Sequence, residues 1–366
     1  MPTMVYHAPY ALNRQATSAS GIRPVRMYDA FKSLGYEVLD VTGDGRRRRR
    51  AIKALKARLA AGQKIDFLYS ESATIPTMLT EARHLPPHPV LDVELFALAR
   101  RYQIPSGLFY RDIYWKFGDY RERVGEPMAT IMSAVYNYDL SWYKRYVDVL
   151  YLPSMAMGAH VPIFPPQRMA ALPPGCELVD SASPNNGQLN LLYIGSVSGH
   201  YQLHECVRAV AATPGVNLTI CTHQQQWEQM RGEYEPLMDS SVQVVHRSGA
   251  ELEQLYDNAD ACVLFVQPDP YREFAAPVKL FEYLGHGKPV IASAGTLAAQ
   301  VVADNEAGWV APYGAGVLPT LLSRLQANPQ EVNKLHRQAK AAGKANTWAQ
   351  RAQQVAFELG QKGAKA

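Results

Sequence analysis

The sequence predicts an α/β protein made of two doubly wound domains, each with a parallel sheet. Three observations predict this class. Strand and helix patterns alternate along most of the chain, the alternation is interrupted once by a Pro-rich stretch and then restarts, and 366 residues are too many for one ordinary core. With 47% hydrophobic and 19% charged residues, the composition is that of a folded chain rather than a disordered one.

The first half alternates short apolar strands with amphipathic helices. In the first helix, Val25, Met27, Phe31 and Leu34 recur at helical spacing, and Gly35 ends the pattern. Such alternation is typical of a parallel sheet with crossover helices. The predicted elements are strand 4–7, helix 23–34, strand 36–41, helix 46–61, strand 65–70, helix 92–102, strand 107–110, helix 127–144 and strand 147–152.

The second half repeats this organisation without repeating the sequence. A second parallel sheet follows from the same alternation, and three helical stretches close the chain. The predicted elements are strand 189–194, helix 203–212, strand 216–221, helix 225–237, strand 242–246, helix 251–258, strand 261–266, helix 277–284, strand 289–293, and helices 317–327, 329–342 and 348–359.

Domain boundaries follow from the Pro-rich stretch. We expect a first domain at 1–160, a linker at 161–188, a second domain at 189–345, and a last helix at 346–366 that is able to pack back on the first domain. Doubly wound sheets bind ligands at the carboxyl ends of their strands, so we expect the active site in a cleft between the domains.

The same composition excludes several other classes of protein. The four cysteines show no C-x-x-C pair, which predicts neither a zinc site nor a disulfide framework, and no dinucleotide fingerprint G-x-G-x-x-G appears. The N-terminus lacks the features of a secretion signal, and no apolar run is long enough for a membrane span. We therefore expect a cytoplasmic location.

The segment 272–293 has the construction of an anion site. Pro277 suits a first helical turn, where the free amides carry partial positive charge, and Lys279 adds a full charge. Glu282 shares a helix face with Lys279 at i,i+3, and a carboxylate that accepts from two vicinal hydroxyls is a common way to hold a ribose. An ordinary surface ion pair is the alternative interpretation.

This segment resembles the nucleotide-sugar glycosyltransferases of the GT-B fold, which has two Rossmann-like domains, and particularly the bacterial retaining enzymes with a K-L-x-E-Y helix. The likeness lies in Pro277-Val-Lys-Leu-Phe-Glu-Tyr-Leu followed by Gly287-Lys-Pro-Val-Ile, in Tyr193-Ile-Gly-Ser, and in Leu255-Tyr-Asp-Asn-Ala-Asp-Ala. The resemblance implies nucleotide-sugar binding by Gly195, Ser196, Arg247, Arg272, Glu273, Ala276, Lys279, Leu280 and Glu282. It implies an acceptor or phosphate loop with Gly21, Arg23 and Arg111, with Arg23 reaching toward the phosphates.

Two departures from the family pattern stand out. Many retaining members carry a glutamate eight residues before the second one, where this chain has Phe274, with Glu273 one step away. The loop after Ser196 also lacks the family's basic residues. Arg272 and Glu273 are candidates for donor contact, and solvated loop residues are the alternative.

The chain is also similar to the xanthan glucuronosyltransferase, another GT-B enzyme with a first-domain aspartate as base. Asp112 follows a predicted strand, so we expect its carboxylate near the cleft, where it could take a proton from an acceptor hydroxyl. A capping or structural aspartate is the alternative. Whether the transfer inverts or retains configuration stays open.

The resemblance implies a hexosyltransferase-type glycosyltransferase that uses a nucleotide diphosphate sugar and a glycan or lipid-linked acceptor, without metal, cofactor or nucleic acid. The alternatives are a sugar-nucleotide epimerase or hydrolase of this fold, and a non-catalytic sugar-nucleotide binding module. The arginine run 46–50 indicates a solvated helix face, or else peripheral contact with an anionic membrane during surface polysaccharide synthesis.

Overall fold

The computed structural model describes residues 1–16, 18–184, 187–199, 201–314 and 316–363. The chain divides into two units. The first unit comprises Met1–Pro174 together with Trp348–Ala366, and the second comprises Gly175–Thr347. Each unit contains one six-stranded sheet whose strand pairs are all parallel.

The first unit has the strand order β2-β1-β3-β4-β5-β6. All six residues of β1 are buried, since this strand lies inside the sheet between β2 and β3. Its elements are β1 Thr3–Ala8, α1 Ala19–Ser33, β2 Glu37–Thr42, α2 Gly45–Ala60, β3 Phe67–Glu71, α3 Leu91–Arg101, β4 Ser106–Phe109, α4 Gly118–Val124, α5 Glu126–Tyr146, β5 Val149–Leu152, β6 Met169–Ala171 and α13 Trp348–Gly363.

An aromatic cluster forms one layer of the first core. Tyr6, Phe31 and Tyr69 are fully buried and contact one another edge-on or tilted, with ring centroids 5.4–6.3 Å apart. The C-terminal helix α13 lies against α1 and buries Val355 and Leu359 in the same cluster. The last helix therefore belongs to the first unit, although most of the second unit precedes it in the chain.

A network of buried polar groups lies on the other face of this sheet. His7 contacts Ser70 Oγ at 2.8 Å and Asp92 Oδ1 at 2.8 Å. Arg48, the middle residue of the arginine run, lies 3.1 Å from the same Asp92 oxygen and 3.1 Å from Glu81. Arg48 is 1% exposed, so the run is not uniformly the solvated face that its composition predicts.

The second unit has the strand order β12-β11-β10-β7-β8-β9. The order reverses between β7 and β10, which makes this pair the topological switch point. Its elements are β7 Leu189–Ile194, α6 His204–Ala211, β8 Val216–Cys221, α7 Gln224–Tyr234, β9 Val242–Val245, α8 Glu251–Asp257, β10 Ala261–Leu264, α9 Val278–Gly285, β11 Val290–Ser293, α10 Leu297–Asp304, β12 Gly308–Ala311, α11 Val317–Ala327 and α12 Pro329–Ala345.

Helices α9 and α12 lie in close contact. A Cβ atom added to Gly343 of α12 would lie 2.3 Å from the carbonyl oxygen of Leu284, so only glycine fits at this crossing. The contact fixes the rotation of α9 about its axis. That rotation decides which residues of α9 face the core and which face outward.

The structure differs from the sequence-based expectations at several element bounds. The segment 161–188, predicted as a linker, contributes β6 to the first sheet, and the division between the units falls after Pro174. Helices α4 and α10 and strand β12 were not predicted; β6 and β12 are short edge strands, whose local pattern is weak. Asn185 and Asn186 of the predicted linker and residues 364–366 of the predicted last helix lie outside the described residues.

All four cysteines are free and buried. Among the described residues, no helix combines the length and the apolar character needed to cross a membrane.

Candidate functional site

The candidate site lies at the switch point of the second sheet. Gly195 directly follows β7, and its N–H donates to the carbonyl of Cys221 at the end of β8. The segment after β10 leads through a turn at 270–274 to α9. Because strands of a parallel sheet end on the same edge, these segments converge where doubly wound sheets bind ligands.

Lys279 extends from the first turn of α9 toward Gly195. Pro277 is the N-cap of this helix rather than its first residue. A Cβ atom built on Gly195 would lie 2.2 Å from Lys279 Nζ, so the amine occupies space that any other residue at 195 would fill. Burial lowers the pKa of Lys279, and nearby Glu282 opposes this effect without cancelling it.

Arg272 brings a second cation to the same place. Its guanidinium carbon lies 4.4 Å from the centre of the Tyr201 ring, and Lys279 Nζ lies 5.0 Å from that centre. The Arg272 side chain is 9% exposed, and its Nε lies 3.3 Å from Asp269 Oδ2. Its Nε and Nη2 are buried and make no hydrogen bond to any residue that the structure describes.

Glu282 lies one helical turn after Lys279, as its spacing predicts. The residue is half-buried, and its carboxylate raises the pKa of the neighbouring Tyr256, although burial is the larger cause of that shift. Its backbone carbonyl accepts from His286 Nδ1 at 2.8 Å, and the His286 ring stacks on Tyr256 at 3.6 Å. The aromatic neighbours support the outward face of α9 on which Glu282 lies.

Two more of the predicted donor residues lie beside this centre. Ser196 follows Gly195 and is half-buried, and its hydroxyl accepts from Gln226 Nε2 at 2.8 Å. Ala276 lies just before the N-cap of α9 and is packed against the core. Both residues place backbone groups next to the cation pair.

The remaining predicted donor residues have other surroundings. Leu280 is fully buried in the core beneath α9, which corrects the prediction that it contacts the nucleotide sugar: the rotation of α9 turns its side chain inward. Glu273 is exposed in the turn before α9. Arg247 is exposed after β9 and forms an i,i+4 ion pair with Glu251 at 3.2 Å.

Lys288 shows why a lysine in this segment need not bind a ligand. Its side chain is fully buried, and its amine donates to the carbonyls of Ala259, at 2.8 Å, and Ala182. The amine of Lys288 therefore stabilises the fold of this segment.

In the first unit, Asp112 lies three residues after β4 and is half-buried. Its Oδ1 accepts from the N–H of Tyr114 at 2.9 Å, which is the local turn contact of a structural aspartate. This contact is compatible with either interpretation of the residue.

Arg23 and Arg111 converge on Glu71, a fully buried carboxylate at the end of β3. Arg23 Nε lies 3.0 Å from Glu71 Oε1, and Arg111 Nη2 lies 3.6 Å from Oε2. Arg23 is 4% exposed within α1, with its guanidinium 3.4 Å from the centre of the Phe109 ring. This corrects the expectation that Arg23 reaches toward a phosphate from a loop, because the buried carboxylate holds it.

Gly21 also lies within α1 instead of in a loop. A Cβ atom at this position would lie 2.3 Å from Ala16 Cβ, so the chain before α1 packs directly against its first turn. Arg111 donates to the carbonyl of Ser20 and to Tyr10 Oη, and thus ties this turn to the end of β4.

Two residues of these clusters were missed by sequence reasoning. Tyr201 follows the loop after β7, where the family pattern directs attention to basic residues and not to rings. Glu71 stands at the end of an apolar strand. A carboxylate in this position indicates a cationic partner, since burying it without one is costly.

Comparison with known proteins adds a match for the second unit. Residues 188–323 match the family model described as Glycosyl transferases group 1. This segment, less than half of the chain, extends from the residue before β7 into α11 and contains Gly195, Arg272, Lys279 and Glu282. No curated protein matches the sequence.

Solved structures resemble the chain over nearly its full length. HepE from Anabaena, in complex with UDP and glucose, is 15% identical with a TM-score of 0.62, covering 99% of this chain and 100% of that chain. Sucrose-phosphate synthase from Thermosynechococcus elongatus is 15% identical with a TM-score of 0.67, covering 100% of both. WaaG, a glycosyltransferase involved in lipopolysaccharide biosynthesis, is 14% identical with a TM-score of 0.58, covering 98% and 99%. At this identity the likeness concerns the fold, and it confirms the expected GT-B class of two Rossmann-like domains.

Proposed function

We propose that this protein is a glycosyltransferase that moves a sugar from a nucleotide diphosphate sugar to a hydroxyl group of a glycan or lipid-linked acceptor. The observation that carries the proposal is the cation pair formed by buried Arg272 and half-buried Lys279 at the switch point of the second sheet. Two adjacent cations with unfilled hydrogen-bonding capacity suit a diphosphate. The match of residues 188–323 to a glycosyltransferase family model supports the same function.

Each site residue has a role in this proposal. Lys279 and Arg272 hold the donor diphosphate and stabilise the charge that grows on it as the bond to the sugar breaks. Glu282 accepts from the hydroxyls of the ribose, and Gly195, Ser196 and Ala276 offer backbone groups beside the phosphates. Arg247 and Glu273 are exposed at the rim of the second sheet and are candidates for contact with the base and the donor sugar, respectively.

Asp112 is the proposed base for the acceptor. Its carboxylate takes the proton of the acceptor hydroxyl while that oxygen bonds to the anomeric carbon of the sugar and the diphosphate leaves with the former bonding electrons. Arg111 precedes this aspartate in the chain and donates to the carbonyl of Ser20, next to Gly21 in α1, and Arg23 and Arg111 both contact Glu71. The reaction needs no metal or cofactor in this scheme, because the two cations meet the charge of the diphosphate.

UDP is the nucleotide to test first, since HepE binds UDP and UDP-glucose. A surface glycan is the acceptor class to test first, since WaaG acts in lipopolysaccharide biosynthesis. Arg46, Arg50 and Lys53 of α2 are exposed at helical spacing and form the surface proposed to contact an anionic membrane peripherally at the cytoplasmic side.

The deciding experiment measures nucleoside diphosphate release from a panel of nucleotide sugars, with and without glycan and lipid-linked acceptors. Release that an acceptor stimulates is the expected result. Release that is independent of acceptor identifies a hydrolase, interconversion of the donor sugar identifies an epimerase, and tight binding without turnover identifies a binding module. Each of these three results overturns the proposal.

A further inference from the structure

The Tyr201 ring contacts two cations that come from another part of the chain. Tyr201 stands between β7 and α6, whereas Arg272 and Lys279 lie in the turn before α9 and in its first turn. Both cationic centres are within 5.0 Å of the ring centre, the range in which an aromatic ring attracts a cation. The ring is half-buried, which strengthens this attraction relative to an exposed site.

The two cations repel each other. Arg272 is one of the causes that lower the pKa of Lys279, after burial of the amine itself. An aromatic ring offsets part of this repulsion because its negative faces attract positive charge. The ring face accepts no strong hydrogen bond, however, so Nε and Nη2 of Arg272 have no hydrogen-bond acceptor within the described part of the chain.

Gly195 leaves room for the Lys279 side chain in this arrangement. Lys279 reaches the ring by crossing the Cα of Gly195, where a side chain would collide with the lysine amine. Gly195, Tyr201, Arg272 and Lys279, which we name the cation seat, therefore hold two positive charges close together and partly shielded from water. A diphosphate can offer oxygens of separate phosphate groups to the two cations, whereas a monophosphate presents the oxygens of one group only.

We propose that Tyr201 is a positioning residue that holds Arg272 and Lys279 together, so that the cation seat binds diphosphates in preference to monophosphates. This inference rests on the proposed function, since it assigns the diphosphate of the donor to the seat. It goes beyond that function because it names the residue that sets the selectivity.

The test compares titration calorimetry of UDP, UMP and inorganic pyrophosphate on the wild-type chain and three variants. Tyr201→Phe keeps the ring and is expected to bind all three ligands as the wild type does. Tyr201→Leu is expected to lose about tenfold in affinity for UDP and pyrophosphate, with less than a threefold change for UMP. Tyr313→Leu, which removes a half-buried ring that stacks on Phe265 instead of on cations, serves as the matched control.

A purely structural role of Tyr201 would weaken UDP and UMP equally or change neither, and both results overturn the inference. Circular dichroism and thermal melting confirm that each variant is folded. A wild-type chain that binds neither UDP nor pyrophosphate overturns the proposed function together with the inference. Wild-type binding that Tyr201→Leu leaves unchanged overturns the inference alone.

Discussion

Two lysines of the second unit, Lys279 and Lys288, have different surroundings. Lys279 and Lys288 are nine residues apart, and burial lowers the pKa of both. Lys288 donates to two backbone carbonyls, whereas Lys279 points at a ring and makes no hydrogen bond to the described residues. An amine that burial penalises and that lacks an acceptor is the one expected to gain most from an anionic ligand.

Replacement of Lys279 is the first prediction. Lys279→Met removes a charge-assisted hydrogen bond to the diphosphate, a loss of about 1.5–3 kcal/mol, so UDP affinity should fall about ten- to a hundredfold. Titration calorimetry measures the change. Lys334→Met, at an exposed position on α12, is the control and should bind UDP normally. Equal affinity of the two variants would remove Lys279 from the site.

Replacement of Asp112 separates catalysis from structure. Asp112→Asn keeps an oxygen for the Tyr114 N–H but cannot take a proton, so turnover should fall about a hundred- to ten-thousandfold while UDP affinity stays unchanged. Steady-state kinetics together with calorimetry measure both quantities. Glu122→Gln, at an exposed position of α4, is the control. Near-normal turnover of Asp112→Asn would leave this aspartate with the structural role only.

In helix α2, packing gives consecutive arginines different surroundings. Five consecutive arginines cannot share one face of a helix that has about 3.6 residues per turn. Arg48 faces inward to Asp92 and Glu81, and Arg46, Arg49 and Arg50 face solvent. The buried ion pairs with α3 and the segment before it fix where α2 lies on the sheet.

This difference between neighbours gives the third prediction. Arg48→Leu leaves buried Asp92 and Glu81 without their cation, which should lower the free energy of unfolding by about 3–5 kcal/mol. Arg49→Leu removes an exposed arginine and should change the free energy of unfolding by no more than about 0.5 kcal/mol. Urea denaturation of both variants measures the difference. Equal destabilisation would mean that the buried ion pairs do not anchor α2.

At the scale of the whole molecule, stability should depend on pH through Asp139 of α5. Burial raises the pKa of this carboxyl from 3.8 to about 6, although it accepts from the Thr77 N–H and from Trp142 Nε1. The folded state therefore holds the proton more tightly than the unfolded state. Stability is highest when the group is protonated and falls as the pH rises from about 4 through 6.

Asp139→Asn isolates this effect and is the fourth prediction. The variant keeps the size of the side chain and has no carboxyl to ionise. Relative to the variant, the wild type should lose about 2 kcal/mol of unfolding free energy between pH 4 and pH 6.5 and little more above it. Urea titrations followed by tryptophan fluorescence at several pH values measure this. A constant difference across the range would contradict the raised pKa.

Much of the fold could be predicted because it is local in origin. Apolar residues alternate or recur at helical spacing within each element. This pattern predicted that Val25, Met27 and Phe31 share one helix face, which is buried, and it predicted the parallel sheets. The short edge strands β6 and β12 were missed because they bury little surface and carry almost no periodicity. The sequence did not predict that the Leu280 side chain points into the core, because the contact of α9 with Gly343 of α12 decides the rotation of α9.

The order of strands and helices, the division into two doubly wound domains, and the spacing of Lys279 and Glu282 on one helix were determined by the sequence itself, since each depends on neighbours along the chain. The tertiary structure decided which charges meet. Tyr201 joins Arg272 and Lys279, Glu71 holds Arg23, and Asp92 holds Arg48, over separations of 44 to 78 residues at which no periodic pattern extends. Such contacts arise when packing brings distant segments together and burial makes an unpaired charge costly.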